Sequence, residues 1–302
     1  MIRKIILKTE KKFISLMSHI NVKLASKYLF LRSQKKFLNL KCPETFNEKL
    51  MWIKIHCYIN NPLIWKCVDK YEVRKYLLKK GIREENLPKI LGVYKSAEEI
   101  NFERLPNKFA LKCTHGCGFN VICHDKTQLD FSETKAKLNK WLKTRFGYET
   151  AETQYIHQKP VIICEEFINS NDGLPYDYKI YCFNGNAKCC LVCSNRESKL
   201  NLNYFDINWK ELPLGKEKLR NKNKIEKPKY YKQMIELAEQ CSKDFPFVRV
   251  DFYEYKSTPI IGELTFTPAA CVASYYTMEG QKYLSKYINI DEIRKWNYFK
   301  YF

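Results

Sequence analysis

Through residues 1–85 apolar positions recur every three or four places, the spacing of one helical face. Thr45 and Glu48 read as a capping box opening a helix that carries Leu50, Ile53 and Cys57. Asp69 and Glu72 repeat that device, with Val73, Tyr76 and Leu77 as the buried stripe and Gly81 as the stop. From Leu87 the period shortens to that of strands: Pro88–Tyr94, Lys108–Lys112 and Phe119–Cys123. A helix from Ser132 to about Phe146 presents Leu138, Trp141 and Leu142. Strands Val161–Ile168, Tyr178–Phe183 and Ala187–Cys193 follow, the last two joined through Asn184-Gly185-Asn186, a strong hairpin signal. Lys216–Lys229 is polar and reads as a surface loop, and the next helix turns Met234, Leu237, Ala238 and Cys241 to one side. Two late strands, Phe247–Tyr255 and Pro259–Phe266, precede an aromatic, Lys-rich tail. There is no internal repeat, and the pattern predicts an α+β fold with antiparallel sheets.

Composition narrows this. A chain of 302 residues points to two or three packed subdomains. Hydrophobic residues at 45% and aromatics at 15% exclude a disordered chain, while 10 Gly and 11 Pro exclude collagen-like repeats. A net charge of +20 permits nucleic acid, anionic membranes or phosphate-rich substrates. The lysines are scattered without a basic arm or stripe, so the reading carries no nucleic-acid partner. Thirteen cysteines, an odd count without a secretory signal, predict free thiols in a reducing cytoplasm. Cys113-Thr114-His115-Gly116-Cys117 followed by Cys123-His124 is the segment nearest to a metal cluster, but it lacks paired CxxC knuckles. No apolar run approaches the roughly 20 residues of a membrane span. Residues 1–20 alternate apolar and basic side chains; the preferred reading is a helix packed on the body of the protein, and a weak peripheral contact with an anionic membrane, at its inner face, stays open.

Candidate chemistry concentrates in Val248-Arg249-Val250-Asp251-Phe252 and Ile261-Gly262-Glu263-Leu264-Thr265. A turn centred on Ser257 sets Asp251 opposite Glu263 and Arg249 opposite Thr265, with Arg249 and Asp251 on one side of the sheet. Directly opposed residues have Cβ atoms about 4.5–5.5 Å apart, where two like charges destabilise a sheet. A positive group is therefore expected between them, and Mg²⁺ held by carboxylate oxygens and phosphates meets that need. A one-residue slip would instead leave two solvated acids.

Two weaker signals accompany it. Lys112 ends a strand that runs into a loop with Gly116 and Gly118, whose backbone N–H groups suit phosphate, although the P-loop pattern is absent. Ile162-Ile163-Cys164-Glu165-Glu166-Phe167-Ile168 reads as a buried strand with a polar end able to receive an adenine amino group or ribose hydroxyls.

The order of these pieces resembles the ATP-grasp fold, and more closely its TupA-like branch, named for teichuronopeptide biosynthesis and associated with surface polysaccharides such as capsule. The carrying segments are Pro43–Leu50, Val68-Asp69-Lys70-Tyr71-Glu72-Val73-Arg74, Leu105–Lys112, Asp177–Gly185, Arg249–Tyr253 and Gly262-Glu263-Leu264-Thr265-Phe266-Thr267-Pro268. Similarity runs from about residue 30 to 285. The resemblance implies a mainly helical region over 1–85, a first ATP-grasp lobe with the glycine loop over 86–164, and a second lobe over 165–302, the sheets clamping ATP.

By the same resemblance Lys70 and Lys112 hold ATP phosphates, Gly116 and Gly118 close over them, and His115 stands at the loop's entrance. Glu165, Glu166 and Phe167 form the hinge where adenine and ribose sit, and Asp177 faces the nucleotide. Lys179, Arg196 and Arg249 are the catalytic cations, while Asp251, Glu263 and Thr265 take magnesium. The sequence departs from the wider fold where Thr265 replaces an Asn ligand, as is usual in this branch, and where Cys117 replaces a small hydroxyl residue. The implied activity is an ATP- and Mg²⁺-dependent carboxylate–amine ligase working through an acyl phosphate. Its implied partners are a uronic-acid-bearing glycan or sugar carboxylate and an amine such as an amino acid. A glycosyltransferase is the alternative, for which Asp251-Phe252-Tyr253 is a poor DxD match. Oligomeric state is not legible.

Overall fold

The computed structural model describes residues 2–168, 176–195 and 200–295. Helices α1 (Ile2–Ile20) and α2 (Val22–Gln34) form an antiparallel pair, the second capped by the Asn21 side chain on Leu24 N–H at 3.0 Å. Ile14 and Met17 of α1 pack against Val22, Ala25, Tyr28, Leu29 and Ala151, so this helix does rest on the body of the protein. Helix α3 (Phe46–Ile53) carries the expected capping box and continues as a π-helical turn over Lys54–Tyr58. Helices α4 (Pro62–Cys67) and α5 (Val73–Lys79) follow, and Gly81, at φ 82°, ends the segment. Only half of the second expected box forms. Asp69 Oδ1 accepts from Tyr71 and Glu72 N–H, both at 2.9 Å, while Glu72 turns to Lys75 because the helix proper starts one residue later.

Strands β1 (Ile90–Tyr94), β2 (Phe109–Cys113), β3 (Asn120–Cys123) and β4 (Ile162–Glu166) form an antiparallel sheet in the order β1-β4-β2-β3. Its apolar face is covered by α6 (Phe131–Leu142) through Leu138, Trp141 and Leu142. The helix expected to reach Phe146 stops earlier, and a separate turn, α7 (Phe146–Glu149), follows. The second sheet, also antiparallel, runs β10-β9-β5-β6-β7-β8 with β5 (Asp177–Phe183), β6 (Asn186–Ser194), β7 (Asn201–Asp206), β8 (Glu211–Leu212), β9 (Phe247–Tyr255) and β10 (Thr258–Thr265). Strands β7 and β8 were not expected from the pattern. Helices α8 (Tyr231–Ser242), α9 (Met278–Ser285) and α10 (Ile290–Lys295) complete the described chain.

One continuous core joins the second sheet to α3, α4, α5, α8 and α9, with Phe46 meeting Phe247 and Tyr276 edge-on. Helices α3–α5 are thus packed against the second sheet, while α1 and most of α2 form a separate small cluster with Ala151. All thirteen cysteines are free thiols, eleven of them buried as small hydrophobes. Among the described residues no helix is long and apolar enough to cross a membrane.

Candidate active site between the two sheets

Alternation along the strands sends Val248, Val250 and Phe252 into the core and turns Arg249 and Asp251 to the other face. The register then arranges two rows across three strands. Lys179, Asp251 and Glu263 lie side by side in one, and Tyr181, Arg249 and Thr265 in the next.

This register is reached by an unexpected route. The turn is a two-residue one, Lys256-Ser257, both left-handed at φ 47° and 62°, rather than a turn centred on Ser257. Thr258 opposite Tyr255 through Ile261 opposite Phe252 would place Asp251 against Gly262. An irregularity at Gly262 absorbs one residue and restores Glu263 opposite Asp251 and Thr265 opposite Arg249. Glycine suits the position, because a Cβ would stand 2.8 Å from the Tyr253 ring.

The repulsion between the two carboxylates is met by built-in cations. Arg249 donates from Nε to Asp251 Oδ1 and from Nη2 to Oδ2, each at 2.6 Å. Lys179 Nζ lies 2.5 Å from Asp251 Oδ2 and 2.6 Å from Asp177 Oδ2. Burial works against the Lys179 ammonium, but Asp251 and then Asp177 outweigh it and raise its pKa. Glu263 is more open: Arg249 is 3.8 Å away, and Thr265 Oγ1 donates to Glu263 Oε1 at 2.9 Å. Burial pushes this carboxyl up, yet Lys70, Lys179 and Arg249 prevail and hold it down to about 2.

Above this face stands the loop between β2 and β3. Lys70 donates its backbone N–H to the Thr114 carbonyl at 3.1 Å and its Nζ to the Gly116 carbonyl at 2.6 Å, pinning the loop to the α4–α5 connection. Gly118 adopts φ 76°, the left-handed region that glycine enters without strain. Cys117 is exposed at the tip. Lys112 forms a short ion pair with Glu165 across the first sheet. The adjacent Glu166 points the other way and accepts from Lys256 at 2.8 Å and from Tyr255 at 3.2 Å, tying the first sheet to the β9–β10 turn.

Between the loop and the charged face lies a cavity of 350 Å³, with Lys70, Gly116, Cys117, Arg249, Glu263 and Thr265 on its wall. A cavity of 520 Å³ opens beside Glu166 and Ile168, bounded by Lys89, Tyr255 and Lys256.

The other expected residues fall less simply. His115 is buried beneath the loop, its Nε2 3.0 Å from the Thr144 carbonyl, rather than at an entrance. Burial lowers its pKa. Phe167 is buried with its ring edge-on to His124. Arg196 lies outside the described residues. Pattern reading missed Glu152, Tyr155 and Thr267, which line the same cavity. No local signal marked Glu152: its role in the wall appears only through contact with Thr267, 115 positions away.

Among the described residues no three His, Cys, Asp or Glu side chains converge as a metal cluster. The donors available to magnesium are the Asp251 and Glu263 carboxylates and the Thr265 hydroxyl. Mg²⁺ takes one or two protein carboxylates and fills its remaining positions with phosphates and water. Of the three donors, Glu263 and Thr265 line the cavity, whereas Asp251 is buried with both oxygens held by Arg249 and Lys179.

Two antiparallel sheets facing each other across a cleft, one lending a glycine hairpin and the other a face of alternating charge, define an ATP-grasp protein. The model of the TupA-like ATP-grasp family matches residues 48–289, and the chain belongs to that family. Among solved structures it is similar to D-alanine–D-alanine ligase from Bacillus anthracis, at 19% identity and TM-score 0.44, covering 76% of this chain and 67% of that one. The ATP complex of the same ligase gives 16% identity and TM-score 0.47, with 88% and 73% covered. N5-carboxyaminoimidazole synthase from Aspergillus clavatus gives 11% and 0.40, this chain spanning 45% of its length and being covered over 67% of its own. No curated protein matches in sequence.

Proposed function

We propose that the protein uses ATP and Mg²⁺ to activate a carboxylate as an acyl phosphate and joins it to an amine, the carboxylate belonging to a uronic-acid-bearing surface glycan and the amine to an amino acid. The observation that carries this reading is the row Lys179–Asp251–Glu263 lying under a glycine loop pinned by Lys70. Lys70, Lys112, Lys179 and Arg249 supply positive charge for the nucleotide phosphates, and backbone N–H groups around Gly116 and Gly118 close over them. Adenine and ribose sit toward Glu165, Glu166 and Phe167, beside the cavity at Ile168, with Asp177 steadying Lys179. Asp251, Glu263 and Thr265 hold magnesium, which when bound neutralises charge on the phosphates. Arg249 turns to the transferring phosphoryl group as its bond to ADP breaks and a bond to the substrate carboxylate oxygen forms. The amine, as its neutral form, then bonds through nitrogen to the acyl carbon, the carbon–oxygen bond to phosphate breaks, and phosphate leaves with the electron pair and takes up the proton that the nitrogen gives up. Positioning and electrostatics are the protein's contribution. His115 acts here as a prop beneath the loop, and Arg196 is assigned to the second lobe's nucleotide face by the resemblance alone.

The test is ATP turnover in the presence of a galacturonate or glucuronate oligosaccharide, with hydroxylamine as the trapping amine. Hydroxamate formation that needs both ATP and saccharide supports the reading; ATP turnover indifferent to every carboxylate offered overturns it.

Work at the inner face of the membrane is part of the proposal. Phe13, Leu16, Ile20 and Leu24 form an exposed apolar stripe on α1 and the start of α2, with Lys12, Lys23 and Lys27 exposed beside it. Co-sedimentation with phosphatidylglycerol vesicles, lost on Leu16→Glu/Ile20→Glu and in high salt, supports this contact; equal binding to neutral vesicles counts against it.

A further inference from the structure

The cavity wall holds three carboxylates, and two are already engaged. Asp69 accepts two backbone N–H groups of the turn before α5, and Glu263 faces Lys70, Lys179 and Arg249. The third, Glu152, is 5% exposed and, among the described residues, has no cation within ion-pair distance. Its Oε1 accepts from Thr267 Oγ1 at 2.5 Å, and Thr267 in turn accepts from Gln154 Nε2 at 3.0 Å. Two further polar atoms beside this network are buried without a partner, Gln154 Oε1 and the Nζ of the fully buried Lys54. Lys54 acts on Glu152 only through space, and burial remains the larger influence, raising the carboxyl's pKa.

Position distinguishes Glu152 from a structural acid. Glu263, Thr265 and Thr267 are spaced by two along β10 and its exit, and all three line the cavity. Thr265 touches Glu263 and Arg249, whereas Thr267 touches Glu152. Tyr155, in the same wall, feels both Glu152 and Glu263. One surface therefore leads from the proposed phosphoryl-transfer centre to a buried carboxyl group. The Pro268–Cys271 turn, with Ala269 and Ala270 left-handed at φ 49° and 53°, adds two methyl groups to the same wall. A small cationic group at this part of the wall would meet Glu152 as its anionic partner, with Lys70 and Arg249 elsewhere on the wall of the same cavity.

We propose that Glu152, oriented by Thr267, binds the ammonium group of the amine co-substrate at the inner end of the cavity. This assignment rests on the ligase reading and adds to it the subsite and the chemical class of the ligand: a free primary amine that enters charged. Burial disfavours the charged form of Glu152, which Thr267 and the more distant Lys54 offset only in part, and an incoming ammonium ion would relieve that cost.

The test uses the full chain with saturating Mg²⁺ and AMP-PNP, whose thermal shift reports the nucleotide site by itself. The twenty amino acids and their N-acetyl derivatives are then titrated as probes. A free amino acid should raise the melting temperature further while its N-acetyl form does not. Glu152→Gln should keep the AMP-PNP shift and bind that amino acid at least tenfold more weakly. Thr267→Val, which keeps the carboxylate but removes its hydrogen bond, should show a smaller loss, and decides the matter if Glu152→Gln fails to fold. Undiminished amino-acid binding in these variants overturns the proposal, as does a wild-type protein that responds to AMP-PNP but to no amine. Absence of the AMP-PNP shift from wild type would instead count against the nucleotide reading on which it rests.

Discussion

Replacing Asp251 by Asn probes the electrostatics of the site without changing its shape. Asp251 is 2% exposed and accepts two bonds from Arg249 and one from Lys179. Removing one member of a buried ion pair costs about 3–5 kcal/mol, because the partner remains buried and uncompensated. Two features pull this case to the lower end. Lys179 keeps Asp177, and Arg249 keeps Thr265 Oγ1 at 3.1 Å. The expected loss is therefore about 3 kcal/mol, or roughly 6–12 °C in melting temperature at about 2–4 °C per kcal/mol for a chain of this size. Urea unfolding followed by circular dichroism measures it, with an unchanged slope showing that only stability moved. The double variant Asp251→Asn/Arg249→Met should be less damaged than the sum of its parts by about 1–3 kcal/mol, since the stranded cation is gone. A single variant within about 0.5 kcal/mol of wild type, or strict additivity, would refute the argument that these groups neutralise one another.

Further expectations concern the loop and the first long-range helix. Gly118→Ala meets nothing within 4 Å, so its effect is the strain of a left-handed alanine, about 1 kcal/mol of folding stability, read by urea unfolding. Lys70→Met frees the Gly116 carbonyl, and amide hydrogen exchange across 114–118 should quicken while that of β2 stays constant. Thr45→Ala should destabilise the fold by about 0.5–2 kcal/mol near neutral pH through loss of the capping box. Burial pushes Glu48 up, but the Thr45 amide and hydroxyl and Lys36 hold its pKa below 4.5. That contribution is present above 4.5 and fades as pH falls through the lowered value, so the gap between Thr45→Ala and wild type should narrow in acid unfolding curves.

What the sequence disclosed followed from local rules. The capping box at Thr45, the hairpin at Asn184-Gly185 and strand β9 all depend on neighbours a few residues apart, and each appears as the pattern predicts. The facing of Asp251 and Glu263 was legible too, although two departures cancelled: a turn shifted by half a residue and an irregularity at Gly262. Strand β7 escaped notice because Asn201-Leu202-Asn203-Tyr204-Phe205-Asp206 mixes polar residues that find partners only after folding, Asn203 with Glu211 and the Asn221 carbonyl. His115 sits in the predicted loop, but α6 and the chain after it decide which way its ring points. Glu152 illustrates the same limit, since burial by a segment more than a hundred residues away gives it its place in the wall.

The most direct test of the central reading is calorimetric titration of AMP-PNP into wild type and Glu263→Gln, with and without Mg²⁺. The account predicts binding that Mg²⁺ strengthens in wild type, with stabilisation of about 2.7 kcal/mol at 100 times the dissociation constant, and a variant in which the magnesium effect disappears. Binding that ignores Mg²⁺, or a Glu263→Gln protein that responds to the ion as wild type does, would contradict it.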